Sequence, residues 1–144
     1  MIKTFSEQVY VKAANAFGTA IVDGEFPASG SYYDVSDYER FAFIITAGAS
    51  DTALTCQVQQ AAAIDSTAKD ITGAVQTVGA SDDGEVFIIE VETRRLDLNN
   101  GYNYVTLDVT GQAGSNDYLA IVFVGINPGA APVTQQNTAV IVAG

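Results

Sequence analysis

The chain has 144 residues, a length that suits one domain, and its formal net charge of −11 comes from 17 acidic against 6 basic residues. Apolar residues make up 48% and charged residues 16%, a globular composition with a lightly charged surface that partners could cover. The negative field repels phosphate backbones and anionic bilayers, so neither nucleic acid nor membrane is an expected partner. Histidine is absent and Cys56 is the single cysteine, which removes histidine-based triads, histidine–metal sites and any internal disulfide.

Along the chain, strand signals dominate. Residues 1–7 hold no apolar core of leader length, and no stretch approaches the ~18 apolar residues of a membrane span, so a cytoplasmic origin is expected. Weak strand signals stand at residues 8–11, 19–22 and 31–35, and residues 1–20 read as a candidate arm. Ser36-Asp37-Tyr38-Glu39-Arg40 has the form of one capped helical turn. Phe41-Ala42-Phe43-Ile44-Ile45-Thr46 is a core strand, apolar at nearly every position. After a turn cluster at residues 47–51, Leu54, Cys56 and Val58 alternate with Thr55, Gln57 and Gln59, and the two runs look like a hairpin. Cys56 falls on the apolar side and reads as a small buried hydrophobe.

Residues 61–85 are turn-rich, with one short strand expected near 71–78. Val86-Phe87-Ile88-Ile89-Glu90-Val91-Glu92 is the next strong strand, with Phe87, Ile89 and Val91 on one face. Asn100-Gly101 marks a turn, residues 104–110 alternate again, and residues 118–124 are apolar throughout, as in a central strand covered on both faces. Residues 125–144 contain Pro128, Gly129 and Pro132 and form a second candidate arm, with a weak strand signal at 138–142. The whole reads as an all-β, single-domain antiparallel β-sandwich over residues 1–144, jelly-roll-like, with extended terminal segments.

No motif carries chemistry. Ser66-Thr67-Ala68-Lys69 matches an acyl-enzyme pattern, but its flanks are loop-like and supply no helix. Asp82-Asp83-Gly84-Glu85 gathers hard oxygens without the spacing of a calcium loop and reads as a turn. No catalytic residue, cofactor or metal is therefore expected. Tyr32, Tyr33, Tyr38, Tyr102, Tyr104 and Tyr118 lie near strand ends, where tyrosine offers contact area at little entropy cost. Alternation puts one of Tyr32 and Tyr33 inside. Arg94 and Arg95 follow the Glu90/Glu92 strand and could pair across it or across a subunit boundary. The candidate interface set is Tyr32, Tyr33, Tyr38, Arg94, Arg95, Tyr102 and Tyr118.

The order of segments from residue 34 to 124 resembles that of small phage virion proteins encoded beside capsid genes. The matching segments are Phe41-Ala42-Phe43-Ile44-Ile45 after Asp37-Tyr38, Val58-Gln59-Gln60-Ala61 and Lys69-Asp70-Ile71-Thr72-Gly73-Ala74. Ile89-Glu90-Val91, Leu96-Asp97-Leu98-Asn99-Asn100-Gly101-Tyr102, Val105 and the 118–124 strand complete it. The resemblance covers about two thirds of the chain and includes no catalytic motif. It implies a capsid decoration, or cement, protein on the outside of a phage head, a homo-oligomer with a trimer favoured, whose partner is the major capsid protein. Another virion part (collar, tail or head-fibre subunit) and a carbohydrate-binding β-sandwich are the alternatives. The absence of tryptophan weighs against the latter.

Overall fold

The alternation that marks the strands also dictates what they must do: each has an apolar side to bury, and two stacked sheets are the arrangement that buries all of them. The computed structural model describes residues 4–114, 116–129, 135, 137 and 140. A single helical turn, α1 (Phe5–Gln8), leads into β1 (Val9–Ala13), followed by β2 (Gly24–Phe26), β3 (Tyr33–Asp34), β4 (Tyr38–Ala47) and β5 (Leu54–Ala61). Then come β6 (Lys69–Val78), β7 (Val86–Glu92), β8 (Tyr104–Thr110) and β9 (Leu119–Pro128). Two antiparallel sheets result, one ordered β1-β9-β4-β7 and the other β2-β8-β5-β6, with β3 also on β8. Among the described residues no helix is long and apolar enough to cross a membrane.

With β2 and β3 taken as one passage of the chain, the first strand pairs with the last, the second with the second last, β4 with β7, and β5 with β6. β9 then joins β4, and β8 joins β5. This is an antiparallel ribbon wound into two packed layers, the jelly-roll-like order.

Phe41, Phe43, Ile45, Leu54, Leu107, Leu119, Ile121 and Phe123 are fully buried between the sheets. Each such side chain contributes about 1.5–3 kcal/mol through burial. Cys56 is among them, and burial first, then the Asp108 charge, pushes its thiol up to about 12. It is an inert core residue.

Several local expectations change. β4 and β5 do not form a hairpin: each pairs within its own sheet, and residues 48–53 cross from one layer to the other. The turn cluster marks where the chain reverses, while the need to bury Phe41/Phe43/Ile45 against Leu54/Cys56/Val58 sends the second strand to the opposite layer. Residues 36–40 are not helical. The Asp34 carboxylate accepts from Ser36 N at 2.9 Å and Ser36 Oγ at 2.7 Å, and Tyr38 N donates to Val35 O, a tight turn into β4. Residues 19–22 form no strand; Ile21 is buried and its N–H donates to Asp117 O. Residues 1–20 are no free arm throughout, because β1 pairs with β9, and residues 125–128 of the second candidate arm complete β9. The strand expected at 138–142 lies, Val140 apart, outside the described residues.

β6 carries the largest irregularity. Its register against β5 jumps from Gln57↔Val75 to Gln59↔Asp70, so residues 71–74 bulge opposite Val58, with Gly73 at φ +85°. The Gln57 amide nitrogen fills the gap, 2.9 Å from Ile71 O and 3.1 Å from Ala74 O. Gln57→Leu strands those carbonyls and is expected to destabilise the fold by about 1–3 kcal/mol in urea unfolding. An unchanged midpoint would show that the bulge needs no such prop.

Candidate interaction surface

The expected interface tyrosines divide between interior and rim. Tyr32 is 4% exposed, and its hydroxyl donates to the Glu25 carboxylate at 2.5 Å. Burial and that bond raise its pKa to about 12. Tyr33 is half-buried, its ring 4.3 Å from that of Phe123, with the Lys12 amine 5.6 Å above it. Burial, then the neighbouring Tyr10, pushes Tyr33 up to about 12 as well. Tyr38 stacks on Tyr10 at 6.3 Å and lies over the backbone of Gly125, where a Cβ would come within 2.6 Å of its ring. That glycine is what lets an aromatic ring close the edge of the core. These rings use their faces internally. Together with Tyr10 and Lys12 they line a recess of about 490 Å³ on the flank between β1 and β3.

Of the other four, Arg94 shares a recess with Tyr38, while Tyr102 and Tyr118 sit elsewhere. Tyr102 lies under the Lys69 amine at 3.9 Å, and that amine also pairs with Asp97 at 2.7 Å. Tyr118 is half-buried at the opposite end of the sandwich from Tyr38, bridging to the β4–β5 link through Gly48 N and Ala49 O. Arg94 is exposed and pairs with Glu92, two residues earlier; Arg95 is exposed in the same turn after β7. The structure does not gather the seven residues into one patch.

What it does gather is an apolar face on the outside of the β1-β9-β4-β7 sheet. The cross-strand rows Val11–Val124–Ala42–Glu90, Ala13–Val122–Ile44–Ile88 and Ala120–Thr46–Val86 all point away from the core. Toward β1 this face is partly covered: Val9, Ala42 and Val124 are buried there, with Val11, Ile44, Val122 and Ile126 against them. Toward β7 it is open, and Val86 and Ile88 are 58% and 56% exposed. The patch is rimmed by charge. Arg40 pairs with Glu90 at 3.3 Å, and Arg94 holds the Glu92 carboxyl below its usual range through a hydrogen bond. An apolar centre with a polar rim is the anatomy of a protein interface.

The outside of the other sheet is unlike it. Thr55, Gln57, Gln59 and Asp108 face outward there, Thr106 is covered by Pro27, whose carbonyl accepts from its hydroxyl at 2.6 Å, and Glu25 stands directly opposite Asp108. Burial first, then Glu25, Asp70 and Asp23, raises the Asp108 pKa. The sandwich thus has one polar, acidic outer face and one apolar outer face. The sequence signal for the second is Val86-Phe87-Ile88-Ile89, apolar at both parities of the strand.

Among the described residues no group of three or more Asp, Glu or Cys is placed to hold a metal ion. Asp82 of the acidic turn is used locally, accepting from Gly79 N at 2.6 Å. The sequence matches no protein-family model, no curated protein and no solved structure.

Proposed function

We propose that this protein is a structural subunit of a virion, a decoration or cement protein that seats on the outer surface of a phage head and stabilises it without covalent chemistry. The segment-order resemblance supplies the biological setting. The observation that carries the physical reading is the open apolar patch of Val86 and Ile88, beside half-buried Ile44 and rimmed by the Arg40–Glu90 and Arg94–Glu92 pairs. In this reading the patch faces the major capsid protein and the acidic outer sheet faces solvent, away from packaged DNA. Each subunit binds modestly, and association of several copies on a repeating shell multiplies modest contacts into a firm clamp. A homo-oligomer, with a trimer favoured, provides that multivalency.

The test mixes purified protein with heads that lack it. Wild type is expected to sediment with the heads and to raise their resistance to heat. The double variant Val86→Asp/Ile88→Asp buries two carboxylates in the seat and is expected to bind at least a hundredfold more weakly. Both positions are exposed, so its melting temperature should match that of wild type. Equal binding by the variant would remove this patch from the account.

A further inference from the structure

The recess shared by Tyr38 and Arg94 has a volume of about 450 Å³ and lies between the start of β4 and the end of β7. β4 contributes Tyr38, Glu39 and Arg40, and the end of β7 with the turn after it contributes Glu92, Thr93 and Arg94. The ladder sets Arg40 directly opposite Glu92. We infer that this recess binds a carboxylate, held by the Arg40 guanidinium and the Thr93 hydroxyl.

Two observations point to an acceptor as the ligand. First, Arg40 Nε and Thr93 Oγ1 are, among the described residues, the only buried side-chain nitrogen or oxygen atoms without a hydrogen-bond partner. Both belong to residues of this one recess, and Thr93 is 7% exposed. Buried polar atoms are ordinarily paired, so two orphans at one recess mark a place where the partner comes from outside the chain. The Arg40 Nε carries a hydrogen and no acceptor capacity, so only an acceptor satisfies it. Second, the acids that line the recess are already engaged. Glu92 accepts from Arg94 Nε, and Glu39 accepts from Asn127 Nδ2 at 3.0 Å. Arg40 reaches Glu90 through Nη1 at 3.3 Å, which leaves its Nε edge unused.

Charge and shape narrow the ligand to a carboxylate. Hydrogen bonds from a guanidinium to an ionised acceptor are about twice as strong as neutral ones. The four charged side chains of the lining sum to zero, on a chain of net charge −11, so each further negative charge on a ligand is disfavoured. Phosphate, which carries more charge near neutral pH, is the poorer fit. Tyr38 and Leu98 supply carbon surface against which a short apolar stem packs. Neither orphan atom reaches solvent in this conformation, so capture includes a side-chain rotation. The Arg40 side chain is 38% exposed, and the Thr93 hydroxyl turns about one bond. The carboxylate has two sources: a free small acid, or an acidic side chain of a protein seated on the adjoining patch, whose rim already contains Arg40 and Arg94.

Arg40 is one of three arginines in the chain, so its Nε–H resonance is readily assigned in isotope-labelled protein. Sodium propionate at constant ionic strength is expected to move that resonance saturably, with half-saturation on the order of 10 mM. Thr93→Val is expected to raise that concentration roughly fivefold or more and to leave the melting temperature equal or higher, because an unpaired hydroxyl does not hold the fold. Thr93→Ser keeps the donor and should bind like wild type. Heads that lack the protein separate the sources. Weaker head binding by Thr93→Val assigns the carboxylate to the partner's side chain, and unchanged head binding assigns it to a free acid. No saturable shift at ten times the expected concentration would overturn the inference, as would a lower melting temperature for Thr93→Val or inorganic phosphate binding ahead of propionate. Should wild type fail to bind heads, the virion reading falls and the propionate titration still decides the recess.

Discussion

Phe123→Ala is expected to be the most damaging single change in the core, costing about 4 kcal/mol. Phe123 is 1% exposed in β9, and its ring meets those of Tyr33 at 4.3 Å, Phe43 at 5.5 Å, Phe41 at 6.3 Å and Tyr10 at 6.4 Å. Truncation opens a cavity that both sheets border. Phe41 and Phe43 are fixed in the β4 ladder and cannot collapse into it. The loss should appear as a fall in melting temperature of roughly 10–20 °C, at the size scaling of a chain this long. It should also release Tyr33 and Tyr38 from their packing, raising tyrosine exposure in near-UV spectra. A loss below ~1 kcal/mol would mean that the flank closes without this ring.

Asp117 is the second large case, and its effect depends on pH. It is fully buried just before β9 and gathers the β4–β5 link around itself. Its Oδ1 accepts from Ser50 Oγ and Asp51 N, each at 2.8 Å. Burial alone would raise the carboxyl pKa, but these donors, with the Thr52 and Gly114 backbone, more than offset it and hold it below the usual range. Asp117→Ala leaves the donors unpaired and is expected to destabilise by about 3 kcal/mol. Asp117→Asn keeps the shape and removes the charge, so it isolates the titration. Because the folded pKa is lowered, the carboxylate's contribution is fully present above the unfolded value near 3.9. It is lost as pH falls from there through the folded value. The stability gap between wild type and Asp117→Asn should therefore be constant from pH 6 to 8 and close below about pH 4. A gap that widens as pH falls would reverse the sign of the argument.

The strands were legible because their burial is one-sided and local. Leu54/Cys56/Val58 and Val105/Leu107/Val109 alternate in sequence and do so in the structure. Pairing was not legible, because nothing in residues 41–60 says that the chain changes layer between β4 and β5. That choice belongs to the long-range packing of Phe41, Phe43 and Ile45 on the other sheet. Residues 36–40 failed for a related reason: the local capping pattern was real, but Tyr38 and Arg40 are held by β9, and the ladder outweighs one helical turn.

The apolar outer face was only partly legible. Tyrosine near strand ends suggested contact; Tyr32 is buried, while Tyr33 and Tyr38 are half-buried and pack their rings on Phe123 and Tyr10. Arg94 pairs with Glu92, two residues earlier, at the rim of the β7 patch. The patch itself was written in the doubled apolar parity of residues 86–89 and becomes a surface only when β7 takes the edge of its sheet.

Imaging the whole virion at a resolution that traces β-strands is the direct measurement. The account predicts density for this chain on the outer shell, with the β7 side of the β1-β9-β4-β7 sheet against capsid subunits and the Glu25/Asp108 face toward solvent. A virion that lacks the chain, or one that holds it with the acidic sheet against the shell, would contradict it.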